Sequence, residues 1–306
     1  MSPKVLIRLA ITLAVVLVVW GGFALFGSRH RDAAGTLQIP HLAGADVSRI
    51  AFRKGSDTVV MTRNGGAWLV NGFPASGRSV QTFLKATGDT TLRSEIVAKS
   101  PSSQARLGVD STNGKRLTVE SGGRAALDLW IGNRGPDFDG FYIRPVGSNV
   151  VYVLHGFFAE LLSQGLDDWR EKEIATLSPD SIGKIEAERG KARWSLERGG
   201  SGWMLGRTGA DSTKVARYLE RVTTLRAAGF PDGAQLDSIS FAHPGRHLAL
   251  YTRAGKPLLS LVFDSSRAGY FWVRADSGGP VYRLDADIAN LAVPAESALV
   301  PTPKKK

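Results

Sequence analysis

Two stretches of the chain share one pattern: RNGGAWLVNG at residues 63–72 and RGGSGWMLGR at residues 198–207. Each combines an arginine, a glycine-rich turn, a tryptophan and a short apolar run. The pair Asn64-Gly65 is typical of a β-hairpin turn, because both residues tolerate a positive φ. Apolar and polar residues alternate on either side, as they do in half-buried strands. The sequence therefore predicts one β-hairpin at each position.

The similarity extends well beyond the hairpins. In a constant register, Trp68 matches Trp203, and both tryptophans are expected in equivalent buried sites. Ser76 matches Asp211 in the same register, and both are preferred residues at the N-cap of a helix. A second register matches the strand-like stretches that follow, for example Tyr152 with Tyr282. Two constant registers indicate one duplication with changes in loop length.

These patterns predict an α+β fold: an N-terminal transmembrane helix, then two duplicated modules of antiparallel strands, each with a capped amphipathic helix. The charged segment LDDWREKEI is predicted to join the modules, with Asp167, Asp168, Trp169 and Arg170 at the junction and Trp169 packed between the modules. The predicted boundaries are 1–30 for the cytoplasmic tip and anchor, 31–45 for a linker, 46–165 for the first module, 166–179 for the junction, 180–294 for the second module and 295–306 for a Pro/Lys tail.

The predicted anchor is the uncharged run from Leu9 to Gly27. About twenty apolar residues cross a bilayer as a helix. A cleaved signal peptide is the alternative, but its apolar region usually spans about 7–15 residues and ends at a small-residue cleavage site. Lys4 and Arg8 nearly balance Arg29 and Arg31, so the flanking charges decide the orientation weakly. We expect a single-pass protein of the inner (plasma) membrane with most of the chain outside the cytoplasm.

Composition excludes several kinds of site. The chain has no cysteine, which excludes disulfides, thiolate metal sites and cysteine nucleophiles. The formal net charge is +11. Five basic residues near the termini, Lys4, Arg8, Lys304, Lys305 and Lys306, carry part of it, and the remaining net charge is spread over the chain. No Lys/Arg run is interleaved with aromatic residues, and no nucleic-acid-binding motif is present, so we do not expect nucleic acid as a partner.

The chemical motifs are weak. His243 and His247 have the spacing of a helical metal site, but Pro244 and Gly245 between them are incompatible with a helix. We therefore assign no catalytic, metal or cofactor-binding residue. The repeated combination of an aromatic and a cationic residue is the only candidate for partner binding, since such a face can stack on a sugar or on a partner's side chain. Cross-strand packing is the alternative. The residues concerned are Tyr142, Arg144, Trp272 and Arg274.

Six sequence landmarks follow one another along the chain. They are VSRIAFRKGSDTVVMTRNGGAWLV at 47–70, ARLGVD at 105–110, LWIG at 129–132, GFYIR at 140–144, VVYVL at 150–154 and LDDWREKEI at 166–174. The order of these landmarks resembles a bacterial envelope family catalogued as domain of unknown function 4340, present as two tandem copies. The second copy departs at residues 239–242, which read ISFA where the first copy has LGVD. The resemblance implies a membrane-tethered accessory protein, often encoded beside an ABC transporter of the gliding-motility type.

The expected function is that of a non-enzymatic, membrane-tethered extracytoplasmic accessory or scaffold protein, acting on an envelope complex or transporter. An envelope glycan- or lipid-binding module is the alternative. A hydrolase with dispersed catalytic residues is a more distant one. A deep pocket with converging titratable groups would favour the hydrolase, whereas a flat surface would favour the scaffold.

Overall fold

The chain forms two compact units that divide between Trp169 and Arg170. A computed structural model describes residues 36–136, 138, 140–200, 202–264 and 269–301.

The first unit is built on an antiparallel sheet, nine-stranded in the described residues, with the order β4-β3-β2-β1-β6-β7-β8-β9-β5. The described part of this unit also has helices at Gly77–Ala86, Gln104–Leu107, Phe157–Leu161 and Leu166–Trp169, with a 3-10 turn at Pro101–Ser103. The strands are β1 (Val47–Lys54), β2 (Asp57–Asn64), β3 (Ala67–Val70), β4 (Phe73–Pro74), β5 (Arg93–Ala98), β6 (Lys115–Ser121), β7 (Arg124–Arg134), β8 (Phe141–Pro145) and β9 (Val151–His155).

Helix Gly77–Ala86 covers one face of this sheet. It begins where the Ser76 hydroxyl accepts a hydrogen bond from the Ser79 backbone N–H at 3.3 Å. Its buried stripe carries Phe83, whose ring packs against Phe52 of β1 at 5.9 Å and against Trp169 at 5.6 Å. An apolar stripe on one helix face and an apolar row on the sheet together make the first core.

The second unit is built on an antiparallel sheet, eight-stranded in the described residues, with the order β13-β12-β11-β10-β14-β15-β16-β17. Helices lie at Ser212–Val222, Gly233–Leu236 and Ala286–Ala292, with 3-10 turns at Pro179–Ser181 and Glu296–Ala298. The strands are β10 (Lys184–Arg189), β11 (Ala192–Gly199), β12 (Gly202–Leu205), β13 (Thr208–Gly209), β14 (Arg246–Tyr251), β15 (Pro257–Phe263), β16 (Tyr270–Ala275) and β17 (Tyr282–Asp285).

Helix Ser212–Val222 covers the second sheet in the corresponding way. The Asp211 carboxylate caps it by accepting two backbone N–H groups, those of Thr213 and Lys214, both at 3.0 Å. The helix buries Tyr218 against Trp194 of β11, with ring centroids 6.0 Å apart. Its hydroxyl donates to the Ala292 carbonyl at 3.0 Å, and burial raises the pKa of Tyr218.

The two sheets share their strand order except at one edge. In the first unit β5 pairs with β9 through five residue pairs. At the matching edge of the second unit, a single bridge joins Gly229 to Arg283 of β17. The Arg283 N–H donates to the Gly229 carbonyl at 2.8 Å. The duplicated order is thus a property of the sheet interior.

The matched tryptophans lie in matched positions but are only half-buried. Trp68 of β3 pairs in register with Arg63, and Trp203 of β12 pairs with Arg198. The Arg198 guanidinium lies over the Trp203 ring at 5.8 Å. The expectation of equivalent buried sites is wrong about burial, because these hairpins lie toward the sheet edge.

Asn71 extends the pairing of β2 beyond the end of β3. Its φ of 47° is in the left-handed region. Its side-chain amide accepts the Val60 N–H and donates to the Thr58 carbonyl, both at 2.8 Å. The matching residue of the second unit is Gly206, with a φ of 56° and no side-chain amide. In the first unit, the Asn71 side chain therefore makes the hydrogen bonds to β2 that a further residue of a neighbouring strand would make.

The α+β fold class is a wrong prediction. The described chain consists mainly of two antiparallel sheets, and only the capped helices, of 10 and 11 residues, exceed seven residues. Each unit needs one such helix to cover its sheet, so helices do not form a layer of comparable size. The described residues contain no helix that is long and apolar enough to span a membrane. The expected span from Leu9 to Gly27 lies outside the described residues.

Candidate functional site

A cleft of about 600 Å³ opens at one end of the first unit's sheet, on the side that carries the core. The segment 162–166 forms one wall, and the ends of β1 and β7 and the beginnings of β2, β6 and β8 form the others. This volume is typical of a pocket for a small molecule. Its floor is apolar and is formed by Phe52, Val59, Ile131, Phe141, Leu162 and Leu166.

Strand pairing brings two lysines to this cleft. Lys54 ends β1 and Lys115 begins β6, and the antiparallel register that pairs Arg53 with Arg116 continues onto these two residues. Because side chains alternate between the faces of a strand, both lysines share the core-facing side with Phe52. The register therefore places two like charges side by side at the mouth of an apolar space.

Lys115 is the more deeply placed of the two. Its ammonium donates to the backbone carbonyls of Leu162 at 2.8 Å and Gln164 at 3.4 Å, and it lies over the Phe52 ring at 5.0 Å. Burial, and secondarily the charge of Lys54, lower the pKa of Lys115. Within the described part of the chain, no carboxylate oxygen lies within 4.0 Å of either ammonium.

The remaining rim is also rich in hydrogen-bond donors. Arg134 lies over the Phe141 ring at 4.8 Å and donates to the Phe138 carbonyl at 2.9 Å. Asn113 and Asn133 add two amides to the lining. The buried side-chain oxygen Oε1 of Gln164 has no hydrogen-bond partner among the described residues. With Asp57 as the one lining carboxylate among the described residues, the cleft is suited to an anionic group.

The aromatic and cationic residues proposed for partner binding are less exposed than expected. Arg144 is 8% exposed, and its guanidinium donates to the carbonyls of Val109 and Ser148, both at 2.9 Å. Trp272 is 1% exposed. Tyr142 packs in a small cluster with Leu107 and Val109.

The same face is covered in the second unit. The half-buried Arg274 lies over the Phe241 ring at 4.6 Å. Alternation identifies two faces of each strand but does not show that a loop covers the second face. The premise that these residues lie on an exposed face is therefore wrong at Arg144 and Trp272, and partner binding stays a prediction.

The four residues predicted at the junction are described within their own units. Trp169 is fully buried in the core of the first unit, stacked on Phe52 at 5.7 Å, rather than packed between modules. Asp168 accepts the Gly165 N–H at 3.0 Å, and Asp167 is exposed. Arg170, in the second unit, lies over the Phe230 ring at 3.5 Å. A core buries the large apolar surface of a tryptophan side chain more completely than a connecting segment does.

His247 does have polar neighbours, on the second sheet. Its Nε2 atom lies 3.0 Å from the Ser260 hydroxyl and 4.0 Å from the Asp276 carboxylate. A hydrolytic triad needs the carboxylate on the other ring nitrogen, where it orients the imidazole. These three residues therefore lack the geometry of a triad. Among the described residues, no group of three His, Asp or Glu side chains is arranged to hold a metal ion.

Sequence reasoning missed the cleft residues Lys54, Lys115 and Arg134. The sequence offered one usable signal, a lysine at the core-facing position at the start of a strand. Its partner lies in a strand far away along the chain, so the charge pair becomes visible only with the register.

A family model described as a domain of unknown function, DUF4340, matches residues 68–244, more than half of the chain. The match runs once, from within the first unit into the second, so it does not confirm two tandem copies of the family's domain. No curated protein matches the chain, and no solved structure matches it.

Proposed function

The chain belongs to the DUF4340 family, and on that premise we propose that it is a non-enzymatic accessory protein of the cell envelope that binds an anionic, partly apolar ligand in the first-unit cleft. The observation that carries this proposal is the half-buried Lys115 ammonium, which lines the cleft and whose hydrogen-bond acceptors among the described residues are backbone carbonyls. A charge that is withdrawn from water is normally paired with a counter-charge. A bound anion supplies one.

The floor of the cleft defines the rest of the ligand. Phe52, Ile131 and Phe141 belong to the core of the first unit, and they also line the cleft. An alkyl or aryl group placed there removes apolar surface from water, which contributes roughly 25 cal/mol for each Å². An anionic head at Lys115 and an apolar tail on this floor together describe an amphiphile. This is the lipid-binding alternative among the functions expected from the sequence.

An accessory role beside an ABC-type transporter remains a proposal that rests on the family resemblance. Location outside the cytoplasm is proposed on the same basis. Cross-linking in intact cells, followed by identification of the captured proteins, tests this role separately from ligand binding. Capture of a transporter subunit by the wild-type chain supports the accessory role, and reproducible capture of cytoplasmic proteins alone contradicts it.

Ligand binding is tested with three probes on the full-length protein: hexyl phosphate, hexanol and inorganic phosphate. Equilibrium dialysis measures each affinity. Hexyl phosphate is expected to bind most tightly, since only this probe offers both the charge and the apolar group. Lys115→Met should lower its affinity by about tenfold or more, the factor expected from losing a charge-assisted hydrogen bond. Lys99→Met, which removes an exposed lysine of the same unit, is the matched control.

The pH dependence of binding separates a charged anchor from a lysine that only packs. Because the pKa of Lys115 is lowered, its ammonium loses its proton below the pH at which a free lysine does. Hexyl phosphate should bind fully below that pKa and progressively less as the pH rises through it. The other charged groups lining the cleft are Lys54, Asp57 and Arg134.

Lys115→Arg should retain binding and move the alkaline loss to higher pH, because a guanidinium keeps its charge. Unchanged hexyl phosphate affinity in Lys115→Met, or equal affinity for hexanol and hexyl phosphate, would refute the cleft as an anion site.

A further inference from the structure

The second unit repeats the charge pair of the cleft with different residues. Arg189 ends β10 and Arg246 begins β14, and the two are direct partners in the antiparallel register. They occupy the same places in their strands as Lys54 and Lys115 do in the first unit. Both units therefore place two cations side by side at the same strand pair, β1 with β6 in the first unit and β10 with β14 in the second.

This arrangement costs stability unless something compensates for it. Like charges directly opposite each other on neighbouring strands repel. Arg246 is 8% exposed, and burial together with the charge of Arg189 lowers the pKa of Arg246 to about 10. Its Nη2 atom donates to the Asn290 amide oxygen at 2.7 Å, and the guanidinium lies over the Phe271 ring at 4.3 Å. Neither contact supplies negative charge.

One donor of Arg246 is unused. Its Nη1 atom is buried and has no hydrogen-bond partner within the part of the chain that the structure describes. Among the described residues, no carboxylate oxygen lies within 4.0 Å of the guanidinium of Arg189 or Arg246. A guanidinium with an unsatisfied buried N–H, beside a second guanidinium, lacks an oxyanion partner.

We propose that Arg189 and Arg246 form a second ligand site, specific for a phosphate or carboxylate group, in the second unit. Arginine differs from lysine here because its planar fork binds two oxygens of one oxyanion. Arg246 supplies the buried donor and Arg189, which is exposed, supplies the donor at the entrance. An oxyanion between them neutralises the repulsion and satisfies Nη1 in one step.

This site rests on its own residues, so its test is separable from that of the first-unit cleft. The starting protein is the full-length Lys115→Met chain, in which the first-unit cleft has a lower affinity for phosphate. Equilibrium dialysis with radiolabelled inorganic phosphate, at constant ionic strength set with sodium chloride, counts the phosphate bound per chain. We expect saturable binding that Arg246→Met, added to this chain, weakens by about tenfold or more.

Two further variants guard against an effect on folding. Arg189→Met changes an exposed residue and should also weaken phosphate binding, without a threat to the core. Lys191→Met removes an exposed cation from the adjacent turn and should leave binding unchanged.

The source of the oxyanion is resolved by competition. If the site takes a lipid headgroup, vesicles of phosphatidylglycerol displace the labelled phosphate and vesicles of phosphatidylcholine do not. If it takes a free anion, neither kind of vesicle displaces it. Equal phosphate binding by the Lys115→Met chain with and without the Arg189→Met and Arg246→Met changes would overturn the second site. Loss of hexyl phosphate binding alone bears only on the first-unit cleft.

Discussion

The two units carry the same charges on the core-facing side at one end of the sheet, but they carry different side chains on the opposite face. At the end of the sheet, Lys54 and Lys115 correspond to Arg189 and Arg246, and the charge is the same. On the opposite face of the first sheet, Arg116 of β6 pairs with Asp128 of β7 through two hydrogen bonds of 2.9 and 2.6 Å.

In the second sheet, the cross-strand partners at the same place are His247 and Ser260, with one contact of 3.0 Å. An ion pair in one unit is thus a neutral or titratable pair in the other. The same backbone therefore accepts different kinds of side-chain pair on the face opposite the core. Cations recur where the geometry favours a bound anion.

The largest effect is expected from the aromatic core. Trp169→Ala should destabilise the first unit by about 3–5 kcal/mol, because the side chain is fully buried between Phe52 and Phe83. Trp68→Ala should cost clearly less, since Trp68 is half-buried. Urea denaturation followed by circular dichroism measures both. Equal losses would mean that the hairpin tryptophan is as central as the core one.

A smaller difference is expected between the two helix caps. Asp211→Ala removes two hydrogen bonds of 3.0 Å from helix Ser212–Val222, whereas Ser76→Ala removes one of 3.3 Å. Both should cost about 0.5–2 kcal/mol, with Asp211→Ala the more costly. Asp211→Asn, which keeps the acceptor without the charge, is the control. A larger loss in Ser76→Ala would show that cap geometry does not determine the difference between the units.

The smallest effect is expected on the opposite face of the sheet. A double-mutant cycle on Arg116 and Asp128 should give a coupling energy of about 0.5–1 kcal/mol, because the pair is bidentate but partly exposed. The same cycle on His247 and Ser260 should give less, because the contact is a single hydrogen bond to a hydroxyl group. The first coupling should fall in high salt and the second should not. Salt sensitivity of both would mean that the pairs are electrostatically alike.

Local signals in the sequence predicted local structure well. The hairpin predicted at Asn64-Gly65 forms, although its two turn residues are Gly65 and Gly66 and Asn64 ends β2 opposite Ala67. Ser76 and Asp211 cap the helices that they were expected to cap. Each of these features depends on residues close together along the chain. The fold class was not predictable in the same way, because the balance of helix and sheet depends on how much sheet each helix must cover.

The site depends on contacts between distant segments. Arg144 looked exposed from its alternation with Ile143, yet the Val109 carbonyl covers it. Lys54 and Lys115 looked like ordinary surface lysines until β1 and β6 paired. Whether a side chain is buried, and whether two charges lie close together, depends on the strand register and on the paths of the loops. A single sequence does not reveal either of these.

Asn71 has a consequence for self-association. Its amide occupies the Thr58 carbonyl and the Val60 N–H, two groups of β2 that lie beyond the reach of the short strand β3. An incoming strand from another molecule would need such groups to begin a β-sheet between chains. Gly206 offers no amide at the corresponding place beside β11. If this protein forms aggregates under stress, the hairpin of the second unit is where they are expected to begin.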